Sequence, residues 1–448
     1  MAKAKNLYVC SNCGNQTGTW AGRCQACGEW NTLVEQVVAA APGTGSSRGG
    51  RKIEAQGVAV VAKVDKASRF AVDGADIDTV LGGGIVAGSV ILIAGQPGIG
   101  KSTLLLQLAD LVSRRQSVLY VSGEESAHQV GLRAQRLGVS GASFDVAMSS
   151  DADDIAATIA AGQHGLVIVD SIQAIATSLV ASAAGSVAQI SNCAQLLINA
   201  AKKTNTALVI VGHVTKEGSI AGPKVLEHVV DVVLQLEGDR YGGFKLLRAV
   251  KNRFGSTNET GIFEMTDKGL GAVKNPSAAL LEERQVSDGS IVLATMEGTR
   301  PLLVEVQALV NKSNFGYPKR TASGIDLNRV NLLVAVLEKR TKLQLAEADI
   351  YINIVGGMKI TEPAADLAVC MAIASAAKGM VLKKDLVVYG EIGLSGEVRH
   401  VPFAEKRLAE ALRMGFEGSI GPGQRGKKQP QGLYSVKDVR SALNQFLS

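Results

Sequence analysis

From residue 58 to residue 272, short apolar runs alternate with amphipathic stretches of helical length. This alternation predicts an α/β fold, a parallel sheet covered by helices. Two Cys-x-x-Cys pairs precede it within residues 10–27, and a second α/β pattern follows from 273 to 448. The 448 residues therefore divide into a cysteine-bound module at 1–35, a linker at 36–57, the α/β core at 58–272 and a further α/β domain at 273–448.

Hydrophobic residues make up 46% of the chain and charged ones 20%, enough for a large buried core. No apolar run approaches the roughly 20 residues of a membrane span. The opening MAKAKNLYVC enters the cysteine cluster without the apolar segment of a signal peptide. A soluble, cytoplasmic protein with no membrane partner is expected. The net charge of +6 permits contact with nucleic acid without requiring it.

Cys10, Cys13, Cys24 and Cys27 form two knuckles ten residues apart. Each knuckle offers two thiolates to one ion, and four thiolates complete a closed tetrahedron around a structural Zn²⁺. A segment this short buries too little core to fold without the metal. Trp20 and Trp30 flank the second knuckle; they are expected to pack the module, with an exposed stacking platform as the alternative. Cys193 and Cys370 lie in apolar, helix-like stretches and read as buried small hydrophobes. Residues 39–57 are rich in Gly, Ser and Ala and lack apolar periodicity, as a flexible tether does.

Within the core, VILIA (90–94) reads as a strand and STLLLQLADLVSRR (102–115) as a helix. Between them Gly95, Gln96, Pro97, Gly98, Ile99, Gly100, Lys101, Ser102 and Thr103 form a glycine-rich phosphate loop. Its glycines let successive amides point at phosphate oxygens, Lys101 reaches the β- and γ-phosphates, and the Ser102 hydroxyl holds Mg²⁺. A nucleoside triphosphate is the expected ligand. SVLYVSGEES then gives a strand ending in Glu124 and Glu125, and LVIVDS one ending in Asp170, placed to orient the Mg²⁺ water shell. ALVIVGH delivers His213 to the same edge, and the alternation across 231–266 suggests antiparallel strands completing the sheet. In the last domain strands are expected within 290–298, 302–310, 350–355 and 386–392, and helices at 327–340, 363–378 and 404–414.

The succession GQPGIGKS, SGEES, LVIVDS, GHVTKEG resembles the RecA-type ATPase core, including the DnaB-like helicases. With the four-cysteine finger in front and KNRFG at 251–255, the whole chain resembles the RadA (Sms) family of bacterial recombination and repair ATPases. The resemblance implies a DNA-stimulated ATP hydrolase, a helicase-like homohexameric ring on single-stranded and branched DNA. Its implied activity is branch migration of strands paired by the RecA recombinase, which the zinc finger contacts. It implies Glu124 as the base for the attacking water, with adjacent Glu125 the alternative, and His213 as the sensor of the γ-phosphate. Lys251 and Arg253 become fingers reaching a neighbour's nucleotide, or contacts to DNA phosphates. DNA contact is implied for loops 174–187 and 214–224, the second carrying Lys216 and Lys224; neither loop holds an aromatic residue.

TEPAADLAV (361–369) and GEIGLSGEVRHVPFAEKRLAEA (390–411) resemble the proteolytic domain of Lon. The nucleophilic serine of that family aligns with Ala364, and its lysine with Glu405, or with Lys406 in a register shifted by one. Without a nucleophile, peptidase activity is not expected. The resemblance implies a ring-forming scaffold with basic surface at Lys319, Arg320, Arg425, Lys427 and Lys428. An ATP-dependent protease and a non-motor switch or kinase on the same core are the competing readings.

Overall fold

The computed structural model describes residues 6–37, 69–141, 143–213, 225–238, 243–313, 317–382, 385–423 and 429–447. They belong to two compact units: Met1–Glu237 with Leu246–Thr257 and Met265–Gly271, and Gly238–Lys245 with Asn258–Glu264 and Ala272–Ser448. The tether expected at 36–57 lies outside the described residues, except that residues 36–37 end the strand Leu33–Val37.

The larger sheet, most of it in the first unit, is built on β1 (Val90–Gly95), β2 (Val118–Ser122), β3 (Phe144–Met148), β4 (Leu166–Asp170), β5 (Ala207–His213) and β6 (Val232–Gly238), with β7 (Lys245–Asn252), β8 (Thr260–Thr266) and β9 (Gly269–Ala272) continuing it. The strand order is β9-β8-β7-β6-β1-β5-β4-β2-β3. All six residues of β1 are buried, as a strand covered on both faces requires. The pairs β1/β5, β5/β4, β4/β2 and β2/β3 are parallel. β6 also runs parallel to β1, which corrects the antiparallel reading of its alternating sequence. A strand beside the central one is covered on both faces, so alternation there says nothing of its direction.

The longer helices of this unit are α1 (Lys101–Ser113), α2 (Ala127–Leu137), α3 (Ala152–Ala160) and α4 (Val187–Thr204), beside shorter ones at Ala75–Leu81 and Val225–Val229. Ile155 and Ile159 of α3 and Ile190 and Leu197 of α4 pack with Val90, Leu92, Val167, Val169, Leu208 and Ile210 from the sheet. Ser126 caps α2 in a reciprocal box with Gln129, and Gly138 ends it at φ +69°.

The second unit holds β10 (Ser290–Glu297), β11 (Arg300–Lys312), β12 (Arg320–Ser323), β13 (Ala348–Ile354), β14 (Leu386–Val388), β15 (Gly418–Gly421) and β16 (Leu433–Ser435). They form a mixed sheet ordered β12-β13-β11-β10-β14-β15-β16. The sequence-predicted strands and helices recur here, the helices as α5 (Leu327–Thr341), α6 (Asp366–Lys378) and α7 (Ala404–Arg413); a further helix, α8 (Val439–Phe446), was not among those expected. Residues 386–392 divide, however, into β14 and a separate short strand, Glu391–Ile392. The first ten residues of α6 are all buried, so this helix is apolar all round and forms the core.

One ion pair joins a cation buried in that core to a half-buried carboxylate. Arg407, 1% exposed, donates to Glu362 at 2.6 and 3.0 Å and to the Pro402 carbonyl at 3.2 Å. Glu362 also accepts from the Met296 amide at 2.8 Å and the Thr295 hydroxyl at 2.5 Å. Glu362→Ala strands a buried guanidinium and is expected to cost about 3–5 kcal/mol. Chemical denaturation monitored by far-ultraviolet circular dichroism should show the second unit unfolding earlier.

Candidate functional site

The phosphate loop follows from how β1 ends. A Cβ on Gly95 would lie 2.7 Å from the Leu236 carbonyl oxygen, so only glycine fits where the chain leaves the sheet. Gly100 takes φ +115° as the N-cap of α1, and no side chain caps that helix terminus. The first amides of α1 are left for an anion, on the positive end of the helix dipole.

Lys101 is 5% exposed, and its ammonium donates to the carbonyls of Gly95 at 2.9 Å and Gln96 at 3.1 Å. Burial lowers its pKa, while the carboxylates of Asp170 and Glu124 pull it back up. Anionic phosphates beside it would favour the charged form in the same way. A cavity of about 860 Å³ opens over the loop, lined by Pro97, Gly98, Gly100, Lys101, Ser102 and Thr103 together with Ser122, Glu124, Glu125 and Asp170. Arg133, Arg136, Met265, Thr266, Asp267 and Gly269 close its other side.

The parallel register brings these groups together. Ser122 lies opposite Asp170, and His213 opposite Gly95, at the carboxyl ends of their strands. Three carboxylates take different partners. Asp170 accepts from the Tyr120 hydroxyl at 2.6 Å, and burial together with Asp170 raises the Tyr120 pKa, so the phenol stays protonated. Glu124 accepts from the Ser171 hydroxyl. Glu125 is held by Arg133 through two bonds of 2.6 and 2.5 Å. Burial is the largest influence and works against the Arg133 charge, but hydrogen bonding to Glu125 and the charges of Glu125 and Asp170 together outweigh it and the pKa rises.

Tyr120, Ser171, Arg133 and Arg136 were not singled out by sequence reasoning. Arg133 and Arg136, three apart on α2, share a helix face, a readable signal once the preceding acids are placed. Tyr120 and Ser171 carry no such signal, because strand pairing alone brings Tyr120 to Asp170.

In KNRFG, the Lys251 ammonium donates to the carbonyls of Glu227 at 2.7 Å, His228 at 3.3 Å and Val230 at 2.8 Å. Burial and the neighbouring Arg253 lower its pKa. Arg253 is exposed and bonds Asp231 at 3.1 Å, while Asp231 accepts from the Val90 amide at 3.0 Å. The loop ahead of α4 is ordered around buried Gln189, which donates to the carbonyls of Thr177, Val180 and Ser182 at 3.2, 2.8 and 3.0 Å. Lys216 and Lys224, with the rest of 214–224, lie outside the described residues, as do Arg425, Lys427 and Lys428.

At the N-terminus three antiparallel strands (Asn6–Cys10, Gln16–Thr17, Leu33–Val37) carry the two knuckles. Gly14 and Gly28, each following a second cysteine, adopt φ +74° and +77° and donate to the Cys10 and Cys24 carbonyls at 2.9 Å. The four Sγ atoms lie within 4.8 Å of one another, with Cys10–Cys27 at 3.7 Å and Cys13–Cys24 at 3.5 Å. A Zn²⁺ tetrahedron with 2.3 Å bonds sets sulfurs about 3.8 Å apart, so the set fits zinc with no open position.

Trp20 and Trp30 are 60% and 68% exposed, which corrects the expectation that they pack the module. Buried Cys10, Cys24 and Leu33 form that core instead. Both rings lie within 4 Å of a Cβ built on Gly22, and the Arg23 guanidinium sits 5.9 Å from the Trp30 ring centre.

In the second unit Ala364 is buried in the short 3-10 helix Pro363–Ala365. Glu405 stands in the first turn of α7. The Lys406 ammonium reaches the Thr299 carbonyl at 3.1 Å and the Phe403 ring at 5.4 Å.

Since Trp20 and Trp30 are the chain's only tryptophans, indole fluorescence reports on the module alone. Chelation of zinc is expected to lower its anisotropy as the module unfolds, leaving nucleotide affinity within twofold. Unchanged anisotropy after metal loss would show that the module folds without zinc.

Comparison with known proteins agrees with this geometry. Residues 8–35 match the model of a rubredoxin metal binding domain, 62–219 that of an AAA domain and 327–425 that of subunit ChlI of Mg-chelatase. The chain is 48% identical to DNA repair protein RadA of Pseudomonas aeruginosa, covering 98% of each. It is 46% identical to DNA repair protein RadA of Bacillus subtilis, covering 100% of each. A crystal structure of the RadB recombinase aligns at a TM-score of 0.37 with 24% identity, over 46% of this chain and 99% of that one. Among the described residues no helix is long and apolar enough to cross a membrane. The architecture is a RecA-like ATPase core, using ATP and Mg²⁺, with a four-cysteine ribbon for structural Zn²⁺ and a Lon-like α/β domain. The chain belongs to the RadA family of DNA repair proteins.

Proposed function

We propose that this protein is a DNA-stimulated ATP hydrolase working in the cytoplasm as a homohexameric ring on single-stranded and branched DNA. It drives branch migration of recombination intermediates made by the RecA recombinase. The boundaries near residues 35, 57 and 272 belong to the same proposal. The observation that carries it is the convergence of Lys101, Asp170 and Glu124 on one cavity over the phosphate loop.

In this reading the loop amides and Lys101 hold the phosphates, while Ser102 and Asp170 hold Mg²⁺ and its water shell. Glu124 takes a proton from a water whose oxygen bonds the γ-phosphorus; the bond to the bridging oxygen breaks and ADP keeps that electron pair. The Arg133 clamp on Glu125 supports Glu124 as the base, since Glu125 is committed elsewhere. His213, ending the strand beside β1, relays loss of the γ-phosphate to loop 214–224, where Lys216 and Lys224 grip DNA with loop 174–187. Of the two KNRFG cations, exposed Arg253 suits a finger toward a neighbour or a DNA phosphate. Lys251 caps the helix Val225–Val229 that follows the gripping loop. Ala364 offers no nucleophile, which disfavours the peptidase reading.

Glu124→Gln is expected to lower ATP turnover about 100-fold or more while nucleotide still binds. Glu125→Gln should stay within a few-fold of the parent in the same phosphate-release assay. Single-stranded DNA should raise turnover, and a forked substrate should be displaced with ATP in the presence of recombinase. An identical ATP rate with DNA absent or saturating would refute the motor.

The exposed indoles of Trp20 and Trp30 suit docking of the recombinase on the zinc ribbon. Replacing both with alanine is expected to weaken that complex about tenfold by calorimetry, with zinc content and basal ATP turnover retained.

A further inference from the structure

We propose that Ser171 is a positioning residue for ATP hydrolysis, aiming the Glu124 carboxylate at the attacking water; this rests on the hydrolytic reading above. Ser171 is fully buried, and its hydroxyl donates to Glu124 Oε1. The main chain fixes the two residues against each other. The Gly123 amide donates to the Asp170 carbonyl at 2.9 Å, tying the turn that carries Glu124 to the strand end that carries Ser171. A Cβ on Gly123 would lie 3.0 Å from the Ala174 side chain, so the turn sits flush against the segment after Ser171. Ser171 in turn is anchored by its own carbonyl, which accepts from the Ala174 amide at 3.1 Å.

A carboxylate at the end of a glutamate side chain has three torsions to settle, and a general base works only from a narrow range of orientations. Fixing one oxygen by a hydrogen bond from a buried, main-chain-anchored hydroxyl settles them before substrate arrives. Arg133 does the complementary work by drawing Glu125 onto α2. Ser171 bonds the base and is not among the residues lining the cavity over the phosphate loop, so it should act on the chemical step alone.

The test is steady-state ATP hydrolysis by the full chain carrying Ser171→Ala, and also Ser171→Cys, which nearly preserves volume but donates only weakly. Both are expected to lower kcat about 10- to 100-fold. KM for ATP, affinity for a non-hydrolysable ATP analogue and the thermal midpoint should be nearly unchanged. An unaltered kcat in either folded variant overturns the proposal. So does a loss of kcat matched by an equal loss of analogue affinity, which would make the hydroxyl a mere support of the pocket. If the parent protein itself hydrolyses no ATP, the hydrolytic reading fails first, a result distinct from either of these.

Discussion

The site depends on strand register in the parallel sheet. Because β1, β2, β4 and β5 all run the same way, their carboxyl ends deliver the phosphate loop, the paired glutamates, Asp170 and His213 to one edge. A one-residue slip of β4 against β2 would carry Asp170 away from Tyr120 and turn its side chain to the opposite face. Register is protected by burial, since Val167, Ile168 and Val169 are inaccessible to solvent on both faces of the sheet.

An edge so dense in like charge needs neutral or cationic partners, and each carboxylate has its own. Tyr120 supplies a hydroxyl that stays protonated to Asp170, Ser171 a hydroxyl to Glu124, and Arg133 a full positive charge to Glu125. The distinction matters chemically. A hydroxyl orients a carboxylate and leaves its charge to act on Mg²⁺ or water, whereas a bidentate guanidinium neutralises it. Lys101, buried against carbonyls and drawn by two of these carboxylates, balances the remainder.

What could be read from the sequence was whatever local spacing encodes. The glycine loop, the Cys-x-x-Cys knuckles and most strands and helices of both α/β units fall where periodicity puts them. Three things were not local. The direction of β6 depends on its place beside β1, which alternation does not record. The different partners of Glu124 and Glu125 are Ser171 and Arg133, one from a distant strand end and one two helical turns further on. The exposure of Trp20 and Trp30 follows from a module so small that two cysteines and a leucine fill its interior. There the metal replaces the aromatic packing that a larger core would need.

The segment around Ala364 is held in place from both sides. Two residues before it, Glu362 is locked to Arg407 of α7; two residues after it, Asp366 is locked to Arg329 of α5, with Arg329 Nε on Oδ1 at 2.9 Å. The Ala364 carbonyl itself accepts from the Gly390 amide at 2.8 Å. This short turn thus joins α5, α6 and α7 through charge-assisted bonds that each have one buried partner, and the strand end after β14 through a main-chain bond. Such pairs add little net stability over apolar packing, but losing one partner is costly, so they fix one arrangement of the helices. A position at the centre of that joint is constrained by geometry whether or not a nucleophile stands there. On this argument the turn at 364 is fixed by its neighbours and by its own carbonyl, and a small buried alanine fits there without a polar group to satisfy.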